Sequence, residues 1–368
     1  MPAEPTVVIW RSAMLGASET FVRNHGDALT RWRPVYLGAT RTESPLARPA
    51  DLIAYPSPAD RAAFLRLRLT GRSPRLRRML AGIGPRLVHA HFGGDGWLVS
   101  AAARSLGVPL IVTVHGHDVT RQPATGGLHG LRYRQNLRTV FARAHTIIAV
   151  SEVIRAKAIG WGADPAKVRV HYTGVPVAPV VPVAPKQWDV AFVGRFVEKK
   201  GADDLIAALA SLGPAKPRAV FVGDGPRLAE MQAYAREAGA DATFLGPRPP
   251  ADVREVLAAS RMLAAPSRTA RDGDTEGLPT TILEAAALGL PVVATRHSGI
   301  GEAVTDGETG LLGAEGDRAA LAANIARLLA DDALRDRFGK QGRERVLTTF
   351  DLAAQSRELE RIYDAVAG

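Results

Sequence analysis

The chain has 368 residues, 46% hydrophobic and 23% charged, and contains no cysteine. That length suits two domains and the composition is globular, which excludes disorder, disulfide scaffolds and thiolate metal sites. No run reaches the roughly 18 apolar residues of a spanning helix, and the excess of basic charge is confined to one half: residues 1–185 carry +14, the remainder −4.

The opening MPAEPTVVIW carries Glu4 and no basic leader region, so it reads as a first strand over 7–10 rather than a signal peptide. LGASETFVRNHGDAL follows, with Gly16 opening a loop and Ser18 the expected N-cap of a helix through Leu29. Residues 61–86, RAAFLRLRLTGRSPRLRRMLAGIGPR, interleave eight arginines with Phe64, Leu65, Leu67, Leu69, Leu76 and Leu80. Such a segment suits an anionic bilayer surface, nucleic acid phosphates, or a solvated arginine-rich helix. LVHAHF (87–92) and PLIVTVH (109–115) are apolar strands with His89 and His91, then His115 and His117, near their ends. Residues i and i+2 share a strand face, so each pair can ligate a metal, bind a sugar hydroxyl, or sit hydrogen-bonded in the core. TIIAV (146–150) and KVRVHY (167–172) complete this set, with a helix expected over 151–160.

The alternation breaks at TGVPVAPVVPVAPKQ, where Pro176, Pro179, Pro182 and Pro185 recur with the three-residue period of polyproline II. This predicts an extended linker over 173–187 between a domain at 1–172 and a second at 188–350. The second domain carries WDVAFVG (188–194), RAVFVG (218–223), ATFLG (242–246), RMLAAP (261–266) and PVVAT (291–295), with helices such as 226–239 between them. Apolar strands alternating with helices predict an α/β fold, two Rossmann-like doubly wound parallel sheets facing across a cleft. Ligands then belong at the carboxyl ends of the strands.

Three motifs sit at such ends. In VGRFVEKKG, Arg195 and Lys200 are placed to reach a diphosphate. In FVGDGP, Gly223 marks a tight turn, either near a base or ribose or purely structural. In TEGLPTTILEAAALG, Pro279 fits the first turn of a helix that Gly289 ends. The unpaired amides of that helix start form an anion site. A carboxylate repels phosphate, so Glu276 on the loop and Glu284 inside the helix suit sugar or ribose hydroxyls.

With these motifs in view, EGLPTTILEAAALGLPVVATRHSGIGEAVTDGETGLL resembles the signature of the retaining GT-B-fold glycosyltransferases of family 4. VGRFVEKKG, FVGDGP, HAHFG, TVHG and SETF fall in the order that family uses, and HAHFG, TVHGHDVT and GDTEGLP look most similar to bacterial exopolysaccharide enzymes of the colanic-acid or amylovoran type. The resemblance implies that Glu284 holds the donor ribose, Glu276 contacts the transferred sugar, and Arg195 and Lys200 clamp the diphosphate. It implies backbone contacts from Gly277, Leu278, Pro279 and Thr280, and a place for His115 near sugar and acceptor. Gly16 and Gly223 join the donor side, and His91, His117 and Asp118 the acceptor side. Many relatives carry a glycine pair where LGASE offers Gly16 and Ala17. The family also adds a last helix that crosses back to the N-terminal domain, a role open to 351–368.

The expected activity is transfer of a hexose from a UDP- or GDP-sugar to a hydroxyl of a glycan or lipid-linked acceptor, without metal or cofactor. Departing diphosphate charge is met by Arg195, Lys200 and the helix start, and front-face retention ranks above a double displacement through Glu276. The basic N-terminal domain predicts a cytoplasmic protein held peripherally on the inner face of the membrane. Rivals are a sugar-nucleotide hydrolase or 2-epimerase on the same fold, a nucleic-acid-binding protein, which lacks an aromatic platform, and a zinc hydrolase on His89, His91, His115 and His117.

Overall fold

The computed structural model describes residues 4–16, 18–178, 185–213 and 216–368. Pro179 and Pro182 of the proline repeat, Ala17, and the first three residues of the opening segment lie outside the described residues. The chain divides into two compact units, Met1–Gly174 with Leu352–Gly368, and Val175–Asp351.

The first unit holds a seven-stranded parallel sheet built from β1 (Thr6–Met14), β2 (Arg33–Arg41), β3 (Leu52–Ile53), β4 (Leu87–His91), β5 (Leu110–Val114), β6 (Thr146–Ala149) and β7 (Val168–Val170). Its order is β3-β2-β1-β4-β5-β6-β7. The second unit holds six parallel strands, β8 (Trp188–Val193), β9 (Ala219–Val222), β10 (Ala242–Gly246), β11 (Ser260–Ala265), β12 (Val292–Thr295) and β13 (Gly310–Gly313). Its order is β10-β9-β8-β11-β12-β13. Both are doubly wound α/β sheets. Strand order reverses between β1 and β4 and between β8 and β11, so each sheet has a switch point where strand-end loops diverge.

Three strands escape the apolar-run signal. β2 opens with exposed Arg33 and closes with exposed Arg41, beside the sheet edge. β3 has two residues, and β13 is the four-residue edge strand GLLG. The arginine-rich stretch forms two helices, Arg61–Thr70 and Pro74–Ile83, broken by left-handed Gly71 and restarted by the Ser73 cap.

Two expected caps are displaced. The first helix runs Thr20–Asp27 with Glu19, not Ser18, at its N-cap, because the Glu19 carboxylate is drawn to Arg11. Pro279 is the N-cap of the helix Thr280–Ala287 and stands one residue outside its first turn.

The helix Leu352–Ala367 packs in the first unit, where Leu359, Ile362 and Tyr363 join Val7, Ile9, Trp32, Leu87, Ile111 and Ile148 in one buried cluster. Full burial of each such side chain contributes about 1.5–3 kcal/mol. Glu360 is buried and accepts from the Thr30 and Arg31 amides at 2.7 and 2.6 Å. Trp32 Nε1 donates to Asp364 at 2.9 Å.

Burial pushes the His25 and His89 imidazoles down to about 3 and lowers those of His91, His115 and His171. Unfolded histidine titrates near about 6.5, so below that pH the unfolded chain takes up protons that the folded unit refuses. Stability is therefore fully present above about pH 6.5 and lost as pH falls, by up to about 1.4 kcal/mol per pH unit for each of His25 and His89. The melting temperature of the first unit is expected to drop steadily between about pH 6.5 and 5; a flat profile across that interval would contradict neutral burial.

Candidate active site

In the second unit, the loop after β11 carries Glu276, which is 6% exposed. Its carboxylate meets the Lys200 ammonium at 2.8 Å and accepts from Ser267 Oγ at 3.2 Å. Lys200 closes a short 3-10 turn after β8 that ends at Gly201, with φ +64°. A Cβ at Gly201 would lie 2.0 Å from the Pro266 carbonyl oxygen, so glycine lets the β8 turn press against the β11 loop. Burial alone raises the Glu276 carboxyl, but Lys200 and then Lys199 outweigh it and hold the group below the usual range. Glu276 is a carboxylate, locked to a cation.

The backbone around it is fixed as well. The Glu276 amide donates to His297 Nε2 at 3.1 Å, and Ser298 Oγ donates to the Glu276 carbonyl at 2.5 Å. Since Nε2 accepts, the ring proton sits on Nδ1, which donates to Glu315 at 2.6 Å. Glu315 also accepts from the Thr269 amide at 2.8 Å. Lys199 pairs with Asp274 at 3.1 Å and donates to the Thr275 carbonyl.

Beyond Glu276, Gly277, Leu278 and Pro279 are buried and the helix Thr280–Ala287 begins with no side-chain cap. Its first amides lack intrahelical partners and carry the positive end of the helix dipole. Glu284 is half-buried; burial pushes its carboxyl up, partly offset by Arg254 and the Thr280 hydroxyl. Arg195, at the carboxyl end of β8, is exposed and has no carboxylate partner among the described residues. One unpaired guanidinium, one uncapped helix start and one neutralised lysine make a site that can take a diphosphate. Gly223 serves the frame: with φ +136°, an added Cβ would lie 2.0 Å from the Gly194 carbonyl oxygen.

In the first unit, three histidines stack at the ends of β4 and β5. His89 is fully engaged, Nδ1 with the Tyr363 hydroxyl and Nε2 with Thr113 Oγ1, each at 2.6 Å. His91 is 4% exposed and its Nδ1 meets His115 Nε2 at 3.1 Å. His115 is half-buried between the rings of Phe21 and Phe92, and its Nδ1 has no hydrogen-bond partner among the described residues. Burial and then Arg11 keep it neutral, so it can donate to or accept from a hydroxyl.

Two residues expected on the acceptor side are covered here: His91 is buried and bonds His115, and Asp118 is buried with its carboxylate holding the Gly93, His115 and Gly116 amides at 2.8–3.0 Å. His117 turns to Gln122, with Nε2 at 2.8 Å. On the donor side, the Gly16 amide donates to the Glu19 carboxylate at 3.3 Å and is occupied. The four histidines make no metal cluster, and among the described residues none was found elsewhere.

Residues 18–178 match the family described as Glycosyltransferase Family 4, and residues 179–345 that described as Glycosyl transferases group 1. The colanic acid biosynthesis glycosyltransferase WcaL of Escherichia coli is 30% identical over 298 residues, 75% of this chain and 70% of that protein. The chain belongs to the family 4 glycosyltransferases. The amylovoran biosynthesis glycosyltransferase AmsK of Erwinia amylovora is 28% identical over 303 residues, covering 75% of this chain and 69% of that relative. Sucrose-phosphate synthase from Thermosynechococcus elongatus superposes with a TM-score of 0.80 at 22% identity over 98% of both chains. Anabaena HepE in complex with UDP gives 0.78 at 19%, over 98% of this chain and all of its own. These likenesses establish the GT-B fold of this glycosyltransferase.

Sequence reading missed the supporting groups. His297 stands just past the end of β12 as His115 stands just past β5, and that shared placement was the available signal. Arg11 interrupts the apolar strand β1 and pairs with Glu19 and Asp95, its guanidinium 4.3 Å from the Phe92 ring centre. Phe92 holds φ +71°, a conformation costing a bulky residue about 1–3 kcal/mol, and so presents its ring to His115.

His297→Ala is expected to free the Glu276 backbone and lower kcat by on the order of 10- to 100-fold, with KM for donor changed less. Steady-state kinetics beside a melting curve check this; unchanged kcat in a folded variant would remove His297 from the site.

Proposed function

We propose that the enzyme transfers a hexose, with retention at the anomeric carbon, from a UDP- or GDP-sugar to a hydroxyl of a lipid-linked glycan in exopolysaccharide or cell-envelope biosynthesis. The observation that carries the reading is the second unit's array: unpaired Arg195, the uncapped helix start at Thr280, and the Lys200–Glu276 pair. The names of WcaL and AmsK support exopolysaccharide, and the UDP complex of HepE supports a nucleotide-diphosphate donor.

In this reading the domain at 188–350 binds donor, the domain at 1–172 receives acceptor, 173–187 links them, and the terminal helix stays with the acceptor domain. Arg195, Lys200 and the backbone from Gly277 to Thr280, where Pro279 has no N–H to donate, take the diphosphate. Glu284, whose carboxyl is pushed up by burial and held down in part by Arg254 and the Thr280 hydroxyl, takes ribose hydroxyls. Glu276 takes hydroxyls of the sugar, and His115 a hydroxyl of sugar or acceptor.

The bond from the anomeric carbon to the phosphate oxygen breaks, and one to the acceptor oxygen forms on the same face. The acceptor's proton passes to the departing phosphate oxygen, and the fixed cations and amides stabilise its growing charge. With Glu276 given to sugar hydroxyls in this scheme, the front-face route stands ahead of a double displacement through that carboxylate. No metal is required in this scheme. The basic first half carries the enzyme to the inner face of the membrane, where a lipid-linked acceptor resides.

Arg195→Ala and Lys200→Ala should each lower kcat by on the order of 100-fold or more with small shifts in melting temperature. Wild-type rates in both would refute their role. A melting-temperature panel with UDP-, GDP- and ADP-sugars should single out one nucleotide by a stabilising shift. Product analysis by mass then separates transfer from hydrolysis or epimerisation, since only transfer needs an acceptor.

A further inference from the structure

Two segments of the first unit, 61–94 and 119–151, contain thirteen arginines and not one aspartate or glutamate. They supply the helices Arg61–Thr70 and Gly127–Arg143, which meet end to side: Arg132 donates to the Arg68 and Leu69 carbonyls at 2.8 and 2.6 Å. Four leucines stand out of the protein there. Leu128 is 85% exposed, Leu131 57%, Leu65 and Leu69 54% each. Leu65 and Leu69 lie one turn apart on one helix, as do Leu128 and Leu131 on the other, and Arg132, the neighbour of Leu131, bonds Leu69. The two leucine pairs therefore flank the junction of the two helices. Among the described residues six large hydrophobics are exposed, and these four are the most exposed of them. Arg61, Arg66, Arg68 and Arg72 are exposed on and just after the helix that carries Leu65 and Leu69.

We propose that this leucine face, with arginines beside it, is the surface by which the enzyme inserts into an anionic bilayer. The proposal rests on the membrane placement given under the proposed function and assigns that placement to four residues. Charge complementarity selects the occupant. Apolar side chains that enter the acyl boundary, surrounded by guanidinium groups that pair with lipid phosphate, are what an interfacial anchor needs. A protein partner would leave this many like charges unpaired unless it were strongly acidic. Nucleic acid would engage the arginines and gain little from the leucines.

The test is co-sedimentation of the full chain with vesicles of phosphatidylcholine alone and of phosphatidylcholine with roughly a third phosphatidylglycerol, at low and high salt. The wild-type protein should bind only the anionic vesicles and weaken with salt. Leu128→Ser with Leu131→Ser, both on the surface, should lower that binding by on the order of tenfold or more with an unaltered melting curve. Leu65→Ser with Leu69→Ser should do the same. Undiminished binding by both double variants would overturn the face while leaving membrane attachment intact. No binding of wild type to any vesicle would overturn both, and the donor-binding reading would survive it. A random-sequence oligonucleotide that binds more tightly than vesicles, or a dimer on size exclusion that both double variants abolish, would give the face to another occupant and also end the proposal.

Discussion

One contact organises the second unit: the buried pair between Lys200 and Glu276. Taking two charges out of water costs several kcal/mol per ion, and the attraction between them offsets that only when geometry and further hydrogen bonds are good. Ser267, His297 and Ser298 supply those bonds, and Glu315 orients His297 in turn. The glycine turn at Gly201 exists so that the lysine's strand-end loop can lie on the glutamate's loop. In the proposed scheme an incoming diphosphate takes the lysine from its partner, and the released carboxylate meets hydroxyls carried on the same ligand.

The first unit is built on the opposite electrostatics. Its strand ends carry a stack of neutral histidines: His89 is held by Tyr363 and Thr113, and His91 stacks on it and bonds His115. Asp118 ties the loops after β4 and β5 together through three amides, and Phe92 accepts a costly backbone angle to press on His115. What this frame exposes is one imidazole nitrogen in a neutral ring, a group for hydroxyls rather than phosphates. Tyr363 of the terminal helix closes the chain at His89, so the end of the sequence takes part in fixing the start of the site.

Much of the frame was legible because it rests on local signals. Apolar runs of four to seven residues marked ten of the thirteen strands; β3 and β13 are short edge strands, and β2, beside the edge, hid because arginines flank its apolar centre. Glu276, Glu284, Arg195 and Lys200 were legible as charges placed where strands end. The groups that tune them were not: His297 and Glu315 act through a hydrogen-bond chain that spans 39 residues, from Glu276 to Glu315, and no spacing rule reaches that far. The i, i+2 histidine pairs showed the limit from the other side. His89 and His91 do share the face of β4, whereas His115 and His117 lie past the end of β5, and only packing distinguishes a covered ring such as His91 from a presented one such as His115.

The most direct test of the organising contact is calorimetric titration of UDP and GDP into wild type and Glu276→Gln. If the carboxylate restrains Lys200 until a diphosphate arrives, its removal should leave the preferred nucleotide bound as tightly or more tightly, while transfer of the sugar falls by on the order of 100-fold or more. Nucleotide affinity lost in step with turnover, in a variant that melts like wild type, would contradict the account.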